Sequence, residues 1–203
     1  MSLLNVADYE REAERLLDPG PFGYYAGGAG DEVTLRDNVA AFSRWQLRPR
    51  VLVDVAEVTT VTEVLGREAS MPLLVAPTAF HRLADREGEL ATARAAAAAG
   101  TVMCQSTLSS ATPGELAAVA PGARLWFQLY WSADRGFTVD LLAQIADAGF
   151  EALVLTVDFP AAGRRERDLR TAFALPDDLP TPNIPGSLQR EGFHAALGEI
   201  VDT

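Results

Sequence analysis

The sequence predicts an α/β fold of repeated strand–helix units, with a (β/α)8 TIM barrel favoured over an open doubly wound sheet. From residue 71 onward, strand-like and helix-like segments alternate in units of somewhat under about 30 residues, the spacing of a (β/α)8 barrel. The strands are near-continuous apolar runs, which suits strands buried on both faces. Polar residues enter those runs at their carboxyl ends, where ligands bind in either architecture. Periodicity alone does not separate the two folds. The repetition of polar ends over four strands favours a barrel mouth.

Along the chain, VADYEREAERLL places Val6, Tyr9, Ala13 and Leu16 at helical spacing, with Asn5 as cap and Pro19-Gly20 as stop. A second helix is read over 21–26 and a third over 31–43, the latter with Leu35, Val39 and Phe42 on one face. AGGAGD between them lacks the GxGxxG spacing and a preceding strand, so it is not a dinucleotide fingerprint. WQLRPRVLV and VTTVTEVLG read as short strands that pair in a small sheet. MPLLVAPT, TVMCQS, ARLWFQLYW and EALVLTVDF are then the four barrel strands. EGELATARAAAAAG, TPGELAAVA and DRGFTVDLLAQIADAG are the helices between them. Thr112, Pro113 and Glu115 fit N-cap, N1 and capping-box N3, and Gly100 and Gly149 fit helix stops. PDDLPTPNIPGSLQREG reads as a long exposed loop, and FHAALGEIVDT as weakly helical at most. The expected domains are helices and a small hairpin over 1–70, half a barrel over 71–175, and a flexible loop over 176–203.

Composition excludes several function classes. A net charge of −11 without an arginine-rich block argues against nucleic-acid binding, which needs a basic face. No apolar run reaches the about 18 residues of a membrane span, and no signal peptide opens the chain. One cysteine, Cys104, excludes an internal disulfide and fits a reducing cytoplasm; in TVMCQS it reads as a packed thiol. All 17 basic residues are arginine, so Schiff-base and Walker-A lysine chemistry are absent from this chain. No metal site is read.

The polar strand ends are Thr78, Gln105 and Ser106, Gln128 and Tyr130, and Thr156 and Asp158. Alternation puts Gln128 and Tyr130 on one face of their strand, and Thr156 and Asp158 on one face of theirs. In LTVDFPAAGRRERD, an acid buried at a strand end is costly unless something pairs with it.

YYAGGAGDEVTLRDNVAAFSRWQLRPRVLVDV, MPLLVAPTAFHRLADREGELATARAAAAAGT, FQLYW and LTVDFPAAGRRERDLR together resemble the FMN-dependent α-hydroxy acid oxidases and dehydrogenases. Glycolate oxidase, lactate oxidase and mandelate-type enzymes belong to that family, and the likeness runs from about residue 3 to about residue 176. A flavin-dependent isomerase would not account for LRPR together with TVD-P--G-R--D. The resemblance implies a (β/α)8 barrel with FMN at its mouth, oxidising an (S)-2-hydroxy acid to the 2-oxo acid. It implies that Pro77, Thr78 and Ala79 line the flavin and that Ser106, Gln128 and Thr156 hydrogen-bond it. Tyr24 and Tyr130 would meet the substrate carboxylate and hydroxyl, and Arg165 its carboxylate. Asp158 would orient a catalytic histidine. That histidine belongs to the family's second half; neither His81 nor His194 matches it. The chain is therefore expected to be the N-terminal half of the unit, needing a C-terminal half in the same or a separate chain. A homo-oligomer, such as a tetramer, is expected from the same likeness. The alternative is a catalytically incomplete half-barrel that binds FMN weakly or only with a partner. AFHRLAD and GRRERDLR lean toward lactate- or hydroxymandelate-type substrates.

Overall fold

The computed structural model describes residues 2–158 and 163–185, which form two compact units. His194 and FHAALGEIVDT lie outside the described residues.

The first unit, 1–58 with 163–174, is helical. Helix α1 (Val6–Leu16) starts where Asn5 accepts from the Asp8 amide at 3.0 Å, as its sequence predicts. Its apolar stripe is largely exposed among the described residues, with Val6 and Leu16 open to solvent. Helix α2 (Pro19–Ala26) begins two residues earlier than expected, with Pro19 at the position where a missing N–H costs nothing. Helix α3 (Val33–Ala40) ends sooner, and 41–44 tightens into a 3-10 turn. The chain re-enters this unit at 163 and packs helix α7 (Glu166–Thr171) on α2. Phe173 approaches Gly20 so closely that a Cβ there would sit 2.8 Å from its ring.

The second unit, 59–162 with 175–203, carries the sheets. A hairpin pairs β1 (Thr62–Val64) with β2 (Arg67–Ala69). WQLRPRVLV, expected to pair here, forms no strand; its residues are exposed, so nothing rewards a pleated conformation. The main sheet is parallel, in the order β3 (Val102–Ser106), β4 (Arg124–Leu129), β5 (Ala152–Leu155). MPLLVAPT joins it only through a bridge between Val75 and Met103. Pro72 and Pro77 flank that bridge without N–H donors, which cuts the expected strand short.

Helices α4 (Gly88–Ala98), α5 (Pro113–Val119) and α6 (Arg135–Asp147) make the crossovers. The capping box on α5 is present as read. Gly100 and Gly149 have left-handed φ of 68° and 77° just past α4 and α6.

Alternate residues of the sheet serve two faces. Met103 and Leu125 pack with Ala93, Ala96 and Leu116, and Phe127 and Leu129 with Leu141 and Ile145, so odd-numbered residues meet the helices. Even-numbered residues form in-register rows on the other face: Cys104–Trp126–Ala152, then Ser106–Gln128–Val154. The strands are added successively on one side with their helices on one face, a connectivity shared by a barrel and by one half of a doubly wound sheet. Among the described residues the sheet is open, not a closed barrel: β5 pairs on one edge only, and Leu153, Val154 and Leu155 are 45%, 37% and 48% exposed.

At the amino ends of the strands, Arg124 is 9% exposed. It donates to the carbonyls of Val64, Arg67 and Glu68 at 3.0–3.2 Å and pairs with Glu151 at 2.9 Å. The expected exposed loop is corrected at 183–185, which is buried, with Asn183 donating to the Ala111 carbonyl at 2.9 Å.

Candidate functional site

The carboxyl ends of the parallel strands carry a hydrogen-bonded row. Ser106 and Gln128 are register partners, and the Ser106 hydroxyl donates to Gln128 Oε1 at 3.2 Å. Gln128 Nε2 donates in turn to Thr156 Oγ1 at 2.7 Å. The sequence gives no notice of Thr107, which braces this row. Its amide donates to Gln128 Oε1 at 3.2 Å, its hydroxyl to the Gln128 carbonyl at 2.7 Å, and it accepts from the Tyr130 amide at 3.0 Å. An amide and three hydroxyls at adjacent strand ends give the rim both donors and acceptors without fixed charge.

Val75 lies beside Met103 and the Phe80 amide donates to the Leu108 carbonyl at 2.9 Å. Pro77 and Thr78 are exposed and Ala79 is half-buried. Gln105, on the odd face, turns away from the rim and donates to Ser109 and to the Ala111 carbonyl.

Tyr130 and Asp158 stand one step further out. Burial, and then the charge of Asp158, push the Tyr130 phenol above its ordinary value, so it stays a donor at neutral pH. Asp158 itself is exposed at a bend, correcting the expectation of a buried acid.

Tyr24 and Arg165 belong to the helical unit and come together within it. The guanidinium lies 5.2 Å over the Tyr24 ring, bonds the Tyr24 carbonyl, and donates to the Gly27 carbonyl at 3.2 Å. Its Nε meets Asp168 at 2.7 Å, and Asp168 is buried. Spacing of three residues on a short helix was the one available signal for that pair. Tyr25 packs edge-on against Tyr24, and Arg164 is exposed.

The chain is an α/β protein whose parallel sheet carries a neutral hydrogen-bonding rim at its strand ends. The family of FMN-dependent dehydrogenases matches residues 13–199, and the chain belongs to that family. Its N-terminal half is the part represented, and the family's cofactor is FMN.

The chain is 50% identical over 187 residues to an L-lactate oxidase of Nostoc sp., covering 90% of this chain and 51% of that protein. It is 46% identical over 186 residues to glycolate oxidase 3 of Arabidopsis thaliana, covering 92% and 50%. A crystal structure of mandelate oxidase with 3,3-difluoro-2-hydroxy-3-phenylpropionic acid superposes with a TM-score of 0.83 at 47% identity, covering 88% of this chain and 53% of that one. The chain thus spans about half the length of the relatives it matches.

The rim fits FMN. An isoalloxazine edge presents carbonyl acceptors and a ring N–H, and needs partners of both kinds when buried. The Ser106–Gln128–Thr156 row supplies both.

Proposed function

We propose that the chain contributes the FMN and substrate half-site for oxidising an (S)-2-hydroxy acid to its 2-oxo acid. The observation that carries this is the neutral row Ser106–Gln128–Thr156 across three adjacent parallel strands. These side chains would hold the isoalloxazine, with Pro77, Thr78 and Ala79 lining it. FMN, when bound, supplies the two-electron acceptor. Tyr130, kept protonated, donates to substrate oxygen, and Tyr24 does likewise. Arg165 engages the substrate carboxylate with a guanidinium already oriented by Asp168 and two backbone carbonyls. Asp158 orients the proton-accepting histidine of the family's second half and stabilises its charged form. We place 71–175 as the first half of an eight-stranded barrel, completed by a C-terminal half, with the assembled unit a homo-oligomer in the cytoplasm.

The second reading is a half-barrel that binds FMN but does not turn over alone, and the one-sided pairing of β5 favours it for this chain in isolation. The test is to titrate the purified chain with FMN and then add lactate, glycolate or mandelate anaerobically. Loss of the yellow flavin absorbance supports catalysis, and retained colour supports the half-barrel. Bleaching that appears only when a C-terminal half is supplied supports both parts of the reading. Failure to retain FMN with either preparation overturns it.

A further inference from the structure

Glu89 is 1% exposed, in the first turn of α4. A carboxylate in that position is tolerated because amides at a helix start favour negative charge and because donors reach it. Glu89 Oε1 accepts the amide of His81 at 3.0 Å and the amide of Ser110 at 2.9 Å, and Oε2 accepts the Ser110 hydroxyl at 2.6 Å. Burial pushes its proton affinity up, yet the bonds from Ser110 and His81 outweigh burial and hold its pKa below the ordinary carboxylate value. One buried anion thus ties the turn after residue 80 to the loop after β3.

Those ties bracket the segment 76–79. Upstream, the Val75 amide donates to Val102 and the Val75 carbonyl accepts from Cys104, both at 2.9 Å. Downstream, Phe80 is fully buried in a left-handed conformation, φ 53°, with its amide on the Leu108 carbonyl. A side-chain-bearing residue keeps such a φ only when its surroundings over-determine it. The next residue, His81, is held at its amide by Glu89 and at Nδ1 by Thr92 Oγ1, 3.0 Å away. Within the segment, the Thr78 hydroxyl reaches the Ala76 carbonyl at 3.4 Å, and the Thr78 backbone bonds the side chain of His81, whose amide Glu89 holds. The segment's position is set from its two ends.

We propose that Glu89 is a positioning residue for the cofactor: by fixing His81 and Ser110 it sets the backbone of Pro77, Thr78 and Ala79 against FMN. This rests on the FMN reading of the rim. Glu89→Gln keeps the oxygen that takes both amides and offers an NH2 to the Ser110 hydroxyl; Glu89→Met removes all three acceptor contacts.

Hydrogen exchange on the whole chain reads the clamp without cofactor. E89M is expected to speed exchange in 76–82 and 107–111 by about tenfold or more while α6 is unchanged, and E89Q to stay within about threefold of wild type. FMN titration reads the consequence: affinity about tenfold weaker and an altered visible flavin spectrum in E89M, both restored in E89Q. Should E89M not fold, Ser110→Ala removes the hydroxyl alone and is expected to give a loss of about threefold in both readouts. Unchanged exchange in E89M overturns the clamp, as does wild-type behaviour of S110A where E89M does not fold. Localised exchange with unchanged FMN affinity and spectrum overturns the cofactor role. Absence of FMN binding by wild type overturns the rim reading instead, and the exchange arm still decides the clamp.

Discussion

At Cys104 the thiol sits on β3 among buried neighbours, and burial pushes its pKa up to about 11. Thiolate is the reactive form, so native protein is expected to resist an alkylating reagent at pH 8 and to react only on denaturation. Rapid labelling of the native chain would contradict this. His81 behaves in the same direction for a base: burial lowers its pKa against the raising influence of Glu89. Folded His81 therefore binds its proton less readily than the unfolded chain. Its contribution to stability is fully present above about pH 6.5 and is lost as pH falls through the window below that value. Denaturant titrations across that window should show the loss, and His81→Gln should flatten it. Neither histidine matched a catalytic position in the sequence, and the structure gives His81 a local partner, Thr92, instead. The rim was legible because polar residues interrupt apolar strands at Ser106, Gln128 and Thr156. Glu89 was not, because an acid in a helix's first turn is ordinarily a solvated one; only the fold lays Ser110 against it.

Among the elements, the hairpin β1–β2 is fastened to the main sheet through Arg124, whose guanidinium serves three hairpin carbonyls and Glu151. Replacing Arg124 by Met leaves those carbonyls without their donor and Glu151 with Arg67 alone, and is expected to destabilise the second unit by about 2 kcal/mol. A chemical-denaturation midpoint close to wild type would show the fastening to be dispensable. Thr112→Ala removes half the capping box of α5 and should cost about 1 kcal/mol in the same assay. That cap was readable because its residues are consecutive in sequence. WQLRPRVLV misled for the complementary reason: strand-forming side chains determine a strand only where an edge exists to pair with, and an edge is a tertiary fact.

For the whole molecule, the order of strands gives a direction that periodicity could not. Strand and helix lengths were the same for a barrel and an open sheet, whereas β3-β4-β5 with Val75 beside β3 advances in one direction. Leu153, Val154 and Leu155 of β5 remain over a third exposed on the unpaired edge strand. The isolated chain is expected to bind a hydrophobic dye such as ANS strongly, and to lose most of that signal when the C-terminal half of the family fold is supplied. Dye binding unaffected by that addition would count against completion of the sheet there.

The alternation along β4 has an evolutionary corollary. Phe127 and Leu129 answer to the helices, while Gln128 belongs to the polar row with Ser106 and Thr156, the row proposed to hold the cofactor. Two vocabularies are interleaved on one string of residues, so the ligand can change at every second letter while the packing text stays as it was. A single inserted or deleted residue in the strand, by contrast, would exchange the two vocabularies and garble both at once.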